Sequence, residues 1–173
     1  MAAMKPVAAG VEADGQNDDV NKLMAVSNVA APLQDINPYV FAPAIAPHIA
    51  AHQAGVALDL QKIADSYARL SQAADLVLVE GVGGLLVPLD AEHDMSVIPL
   101  RLNLPVLLVV GMRLGCLNHA LLTVEAIQAR GLVLAGWVAN VLDAQMPVLE
   151  ENIQALSQRI HAPCWGCVDW REG

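Results

Sequence analysis

Aromatic residues are scarce, 3% of 173 residues, with one Phe, two Tyr and three Trp. Hydrophobic residues still make up 55%, so the apolar weight falls on Ala, Val, Leu and Ile. That suits closely packed helices against buried strands and excludes a disordered chain. Basic residues are also few, nine Lys and Arg against eighteen Asp and Glu, for a net charge of −9. The lysines are Lys5, Lys22 and Lys62 alone. This excludes a nucleic-acid or anionic-membrane surface, which needs clustered cations to neutralise phosphates. It leaves room for a small phosphate ligand, which backbone N–H groups and a metal ion can hold. No apolar run approaches a membrane span, since Leu104 to Gly111 is far too short. The first residues lack a charged start followed by an apolar signal region. Three cysteines without an export signal point to reduced thiols and a cytoplasmic setting. The sequence contains no Gly-x-x-x-x-Gly-Lys-[Ser/Thr] loop, which an ATP-using parallel-sheet protein ordinarily carries.

What is present is an alternation of strand and helix signals in a single domain over residues 1–173. Residues 4–8 read as the end of a short strand. Residues 17–27 read as a helix capped by Asn17 or Asp18. Residues 44–54 read as a helix with Pro47 near its first turn, and residues 59–73 as a clearer amphipathic helix. Continuous apolar runs at 76–79, 106–110 and 132–138 predict strands buried on both faces. Helical patterns occupy 95–102, 117–129 and 145–160, and a short apolar piece covers 164–168. Strands alternating with helices imply right-handed crossovers and an α/β fold with a mostly parallel sheet.

Ligands of such sheets lie outside the carboxyl ends of the strands. Lys5, Glu80 to Gly84, Gly115 to Asn118 and Asn140 all fall there. Glu80 precedes a glycine-rich turn and can hold Mg²⁺ beside a phosphate; it also reads as a solvated strand-end acid. Lys5 can steady a phosphoryl group or be an ordinary surface lysine. Asp18 and Asp19 can add a metal ligand or simply stabilise a helix N-terminus. Gly115 to Asn118 opens a helix whose N–H groups suit an anion, or is an Asn-capped helix start. Cys164-Trp-Gly-Cys167 lacks the second pair a structural zinc site needs. His48 and His52 share a helix face without a third ligand.

The sequence resembles the dethiobiotin synthetase family. The resemblance rests on Lys5 to Gly10, Asn17 to Asp19, Asn37 to Pro43, Ala46 to Ile49, Val77 to Gly84, Leu104 to Thr123 and Leu134 to Asn140, in the family's order. It implies a P-loop NTPase-like sheet flanked by helices, here lacking the N-terminal strand and phosphate loop, as in a truncated or mis-started form. It implies an ATP-dependent cyclo-ligase and homodimer of biotin synthesis, which turns 7,8-diaminononanoate, CO₂ and ATP into dethiobiotin, ADP and phosphate. By position, Lys5 matches the active-site lysine, and Asp19 and Glu80 the Mg²⁺ ligands. Asp19, Glu80, Gly81, Val82, Gly83 and Asn140 match nucleotide contacts. Gly83, Gly84, Gly115, Cys116, Leu117 and Asn118 match substrate contacts, the last four reaching the partner subunit's substrate. The sequence departs from the family pattern at Ala9, Val97 and Cys167 to Trp170. A non-catalytic substrate-binding or regulatory dimer of this family is the alternative expectation.

Overall fold

The structure, a computed structural model, describes residues 1–12 and 15–170. They group into two compact units, Met1–Leu102 and the chain from Asn103 onward.

In the first unit, strand β1 (Ala2–Met4) is followed almost at once by β2 (Val7–Ala9). The single strand expected over 4–8 is thus broken at Lys5-Pro6. The reason is local: Pro6 has no N–H to donate, and Lys5 N turns to Ile36 O at 2.7 Å. The chain thereby changes partner. Helix α1 (Asp18–Val26) follows, with Asn17 at its N-cap as expected. A short helix α2 (Leu33–Ile36) and strand β3 (Tyr39–Phe41) come next, neither of them expected. Helices α3 (Pro47–Gln53) and α4 (Leu60–Ala73) precede strand β4 (Val77–Val79) and helix α5 (Val97–Leu102). β1 pairs parallel with β4, and β2 parallel with β3.

Asn37 fixes the point of exchange. It is buried, and its Nδ2 donates to Lys5 O at 2.6 Å and to Tyr39 O at 3.0 Å. The core around it includes Met4, Val7, Ile63, Leu70 and Leu89. α2 is fastened to α4 by the buried Asp35, whose Oδ1 accepts from Arg69 Nε at 2.9 Å and Nη2 at 2.7 Å. The carboxylate accordingly raises the Arg69 pKa.

In the second unit, β5 (Val106–Met112), β6 (Leu134–Val141) and β7 (Cys164–Val168) form a parallel sheet in that order. Helices α6 (Cys116–Ala129) and α7 (Leu149–Ser157) contribute to its buried cluster with Trp137, Ala139 and Met112. α7 is shorter than the expected 145–160, because Pro147 and a turn capped by Asp143 precede it. Parallel pairing is as expected, but the ladders form three sheets rather than one.

The strands also differ from the expectation of burial on both faces. On β5, Val110 and Met112 are buried whereas Leu107 and Val109 are 37% and 58% exposed. β4 alternates in the same way, with Leu78 47% exposed between two half-buried valines, so period-two burial results despite continuous apolar sequence, whereas β1 is buried at all three of its residues.

Gly136 on β6 is where Trp165 crosses the sheet. A Cβ there would lie 2.7 Å from Trp165 Cδ1 and 2.8 Å from Pro163 O. Pro163 O also accepts from Trp137 N at 3.0 Å. Gly136→Ala is therefore expected to cost about 1–3 kcal/mol by overpacking. Adding Trp165→Ala should restore only part of that loss, because the Pro163 carbonyl is backbone and stays. Chemical denaturation of the single and double variants checks this; full recovery in the double variant would contradict it.

Candidate functional site

Lys5 and Glu80 come together because β1 and β4 run side by side in the same direction. Met4 is opposite Val79, and Glu80 N donates to Met4 O at 2.8 Å. The next residue of each strand therefore emerges at the same carboxyl edge. Asp19 reaches that edge from the first turn of α1. Asn17 sets its approach: its Oδ1 accepts from Val20 N at 3.1 Å, and its Nδ2 donates to Gly10 O at 2.6 Å. Gly10 stands at φ +91°, and a Cβ there would come within 3.2 Å of Ala44 Cβ.

Lys5 Nζ lies 2.7 Å from Asp19 Oδ2 and 2.6 Å from Glu80 Oε1. The lysine is 3% exposed, while both carboxylates are about half exposed. One ammonium with two carboxylates leaves an excess negative charge, with oxygen lone pairs turned to solvent. Hard carboxylate oxygens of this kind suit Mg²⁺, which keeps several waters and takes phosphate oxygens as further ligands. The donor set thus fits such an ion with one or two protein ligands. Among the described residues, no group of three or more His, Cys, Asp and Glu assembles into an all-protein metal site. Asp18 does not join the cluster. It pairs with Lys22 at 2.6 Å on the exposed side of α1 and raises the Lys22 pKa.

The turn after Glu80 needs its glycines. A Cβ on Gly81 would meet Met95 Cε at 3.2 Å, and one on Gly83 would meet Val87 Cγ2 at 2.9 Å. Gly83 and Gly84 stand at φ +70° and +130°, a region that glycine adopts at little cost. Val82 packs against the core of the unit. The turn is backed by residues 88–95, a feature not read from the sequence. There Asp90 Oδ1 accepts from Glu92 N and His93 N, both at 2.7 Å, and Oδ2 lies 2.9 Å from His93 Nδ1. Burial pushes the Asp90 carboxyl up, but these hydrogen bonds outweigh it and leave it below its ordinary value. Its contribution to stability is therefore present above the unfolded-state pKa and fades as pH falls through the folded one. The spaced Asp and His of this segment are the signal that a closer reading of the sequence would have used.

The other candidate residues lie in the second unit. Gly115, at φ +91°, is the N-cap of α6, so Asn118 is inside the helix and is not its cap. Cys116 is buried, and its N–H donates to Arg113 O at 3.0 Å. Gly115, Cys116, Leu117 and Asn118 thus occupy the first turn of a 14-residue helix, the end that favours an anion. Asn140 lies near the carboxyl end of β6, opposite Gly111 and Val168. It lines a cavity of about 330 Å³ with Val141, Leu142, Val168, Asp169 and Trp170. Lys5, Asp19, Glu80 and the glycine turn are therefore assembled in one unit, and the helix start and Asn140 belong to the other. His48 and His52 lie on α3, with His48 Nδ1 buried and without a hydrogen-bond partner.

A family model described as an AAA domain matches residues 1–173. A protein of Nitrosospira multiformis called ATP-dependent dethiobiotin synthetase BioD is 50% identical over 170 residues, covering 98% of this chain and 75% of that protein. A Cellvibrio japonicus protein of the same name is 52% identical over 168 residues, covering 95% of this chain and 74% of its own. One from Aromatoleum aromaticum is 51% identical over 168 residues, with 95% and 75% covered.

Proposed function

Because the chain belongs to the dethiobiotin synthetase family, we propose that it catalyses ATP-dependent closure of the ureido ring of dethiobiotin in biotin synthesis. The observation that carries this reading is the occluded Lys5 ammonium held between Asp19 and Glu80 at the ends of two parallel strands. The substrates are 7,8-diaminononanoate, CO₂ and ATP. An amine nitrogen of the diamine adds to CO₂ and loses a proton, giving a carbamate. A carbamate oxygen takes the γ-phosphoryl group and ADP leaves. The second amine then attacks the carbamoyl carbon, and phosphate departs as the ring closes.

Every stage concentrates negative charge on carbamate or phosphoryl oxygens. Lys5 supplies a fixed positive charge for them, and its two carboxylate partners hold the ammonium in place before substrate arrives. Asp19 and Glu80 would hold Mg²⁺, which supplies charge neutralisation at the phosphates when bound. The bare backbone of Gly81 to Gly84 permits close approach of nucleotide and substrate. The start of α6, Gly115 to Asn118, receives the substrate carboxylate, across a homodimer interface. Asn140 reads the nucleobase edge in the cavity it lines with Trp170. A cytoplasmic location accords with the thiol content, and no helix among the described residues is long and apolar enough to cross a membrane.

Glu80→Gln tests the reading. The amide keeps the shape but removes the charge. Losing several kcal/mol of charge stabilisation is expected to slow diaminononanoate-dependent ADP release by roughly a hundredfold and to raise the Mg²⁺ concentration needed for half-maximal rate. An unchanged rate and Mg²⁺ dependence would refute the assignment.

A further inference from the structure

We propose that Cys164 and Cys167 form a two-thiolate site for a soft monovalent cation of the copper(I) type. The argument starts from the register of β7. Cys164 is opposite Trp137 and Cys167 is opposite Ala139, with a register shift between Trp137 and Val138. Three steps along β7 therefore span two steps along β6.

In a regular strand, residues three apart point to opposite faces and lie about 10 Å apart. Here the additional residue, Trp165, reverses that. Trp137 and Ala139, two apart, lie on one face of β6, so the cysteines opposite them lie on one side of β7, a strand exposed along its whole length. Their separation contracts to about two strand steps, or roughly 6.6 Å between Cα atoms. Gly166, between them, takes φ +147°, a conformation natural to glycine and strained for other residues. Trp165 folds over Gly136, which has no side chain to obstruct it.

Both cysteines are free and exposed, whereas the third, Cys116, is buried. A disulfide and a bridging ion ask for different separations. Disulfides favour Cα distances of about 5.5–6 Å, so roughly 6.6 Å lies near the far end of their range. An ion bridging two sulfurs with bonds of about 2.3 Å spans a wider gap. Soft thiolates select copper(I), which accepts two ligands. A four-coordinate zinc site is disfavoured, because no group of three or more His, Cys, Asp and Glu assembles among the described residues. Burial pushes the Cys167 thiol up, and Asp169 and Glu150 push it the same way. These acids add negative charge for an incoming cation. On binding, two S–H bonds break, two Cu–S bonds form, and two protons leave to solvent.

The test is anaerobic titration of the reduced protein with copper(I) buffered by bathocuproine disulfonate. About one ion per chain is expected for the parent and for Cys116→Ser, with retention at least tenfold weaker in Cys164→Ser and in Cys167→Ser. Thiol counting and circular dichroism confirm that every variant is reduced and folded. Failure of the reduced, folded parent to take up copper(I) would overturn the proposal. So would retention by both single-serine variants, or loss only in Cys116→Ser. None of these outcomes bears on dethiobiotin formation, since neither cysteine belongs to the site of that reaction.

Discussion

Lys5→Met is expected to lower the turnover of diaminononanoate, CO₂ and ATP by about a thousandfold, the upper range for removing one preorganised charge-stabilising donor. The methionine has nearly the length of the lysine stem and fills the same occluded space, since Lys5 is 3% exposed. What disappears is the ammonium. Asp19 and Glu80 then face one another without the charge that sat 2.7 Å and 2.6 Å away. Both are about half exposed, so solvent screens their repulsion and the fold should persist. The separation of effects is the diagnostic: turnover collapses while the thermal midpoint moves by only a few degrees, on the order of a 1 kcal/mol change. Lys5→Arg should also fail to restore the rate, because a planar guanidinium cannot place its charge where a compact ammonium sits between two carboxylates. Steady-state kinetics and a melting curve on the same preparations check both statements. Near-parent turnover by Lys5→Met would remove Lys5 from the chemistry.

Much of this site was legible before the fold was known. Lys5 and Glu80 each follow an apolar run, and parallel strands bring their carboxyl ends to one edge. Asn17 is a good capping residue, which placed α1 correctly and put Asp19 in its first turn. Helices α4 and α6 were legible because each runs 14 residues and repeats its pattern several times.

What escaped the reading was decided by contacts distant in sequence. The split of β1 from β2 depends on Ile36 taking the Lys5 N–H and on Asn37 bonding both Lys5 and Tyr39. Strand β3 has three residues between Pro38 and Pro43, too short for any period to show. The alternate exposure of β5 was hidden because both of its faces carry apolar residues, so composition could not tell the covered side from the open one. The two cysteines of β7 read as a lone C-x-x-C without the second pair a zinc site needs, and it is the register shift at Trp137 and Val138 that sets both opposite one face of β6. Sequence spacing assumes regular geometry, and each of these features is a local departure from it.

The same stretch of β6 carries the largest expected effect on stability. Trp137 is wholly buried in the cluster formed with Met112, Cys116, Val124 and Leu156. Trp137→Ala should cost about 3–5 kcal/mol, from lost transfer energy and the cavity left behind. Trp137→Phe should cost far less. It keeps an aromatic ring in the core, and the group it deletes, the indole Nε1–H, has no hydrogen-bond partner. A buried donor without a partner has already incurred its desolvation cost, so removing it offsets part of the lost packing. Urea unfolding followed by circular dichroism measures the difference as a shift in midpoint at constant slope. Fluorescence gives an independent check: Trp165 and Trp170 are 61% and 42% exposed, so the blue-shifted part of the emission belongs to Trp137 and should vanish in both variants. Equal destabilisation by alanine and phenylalanine would mean that the indole N–H makes a bond worth as much as the ring, and that the stability of β6 rests on polar rather than apolar contact.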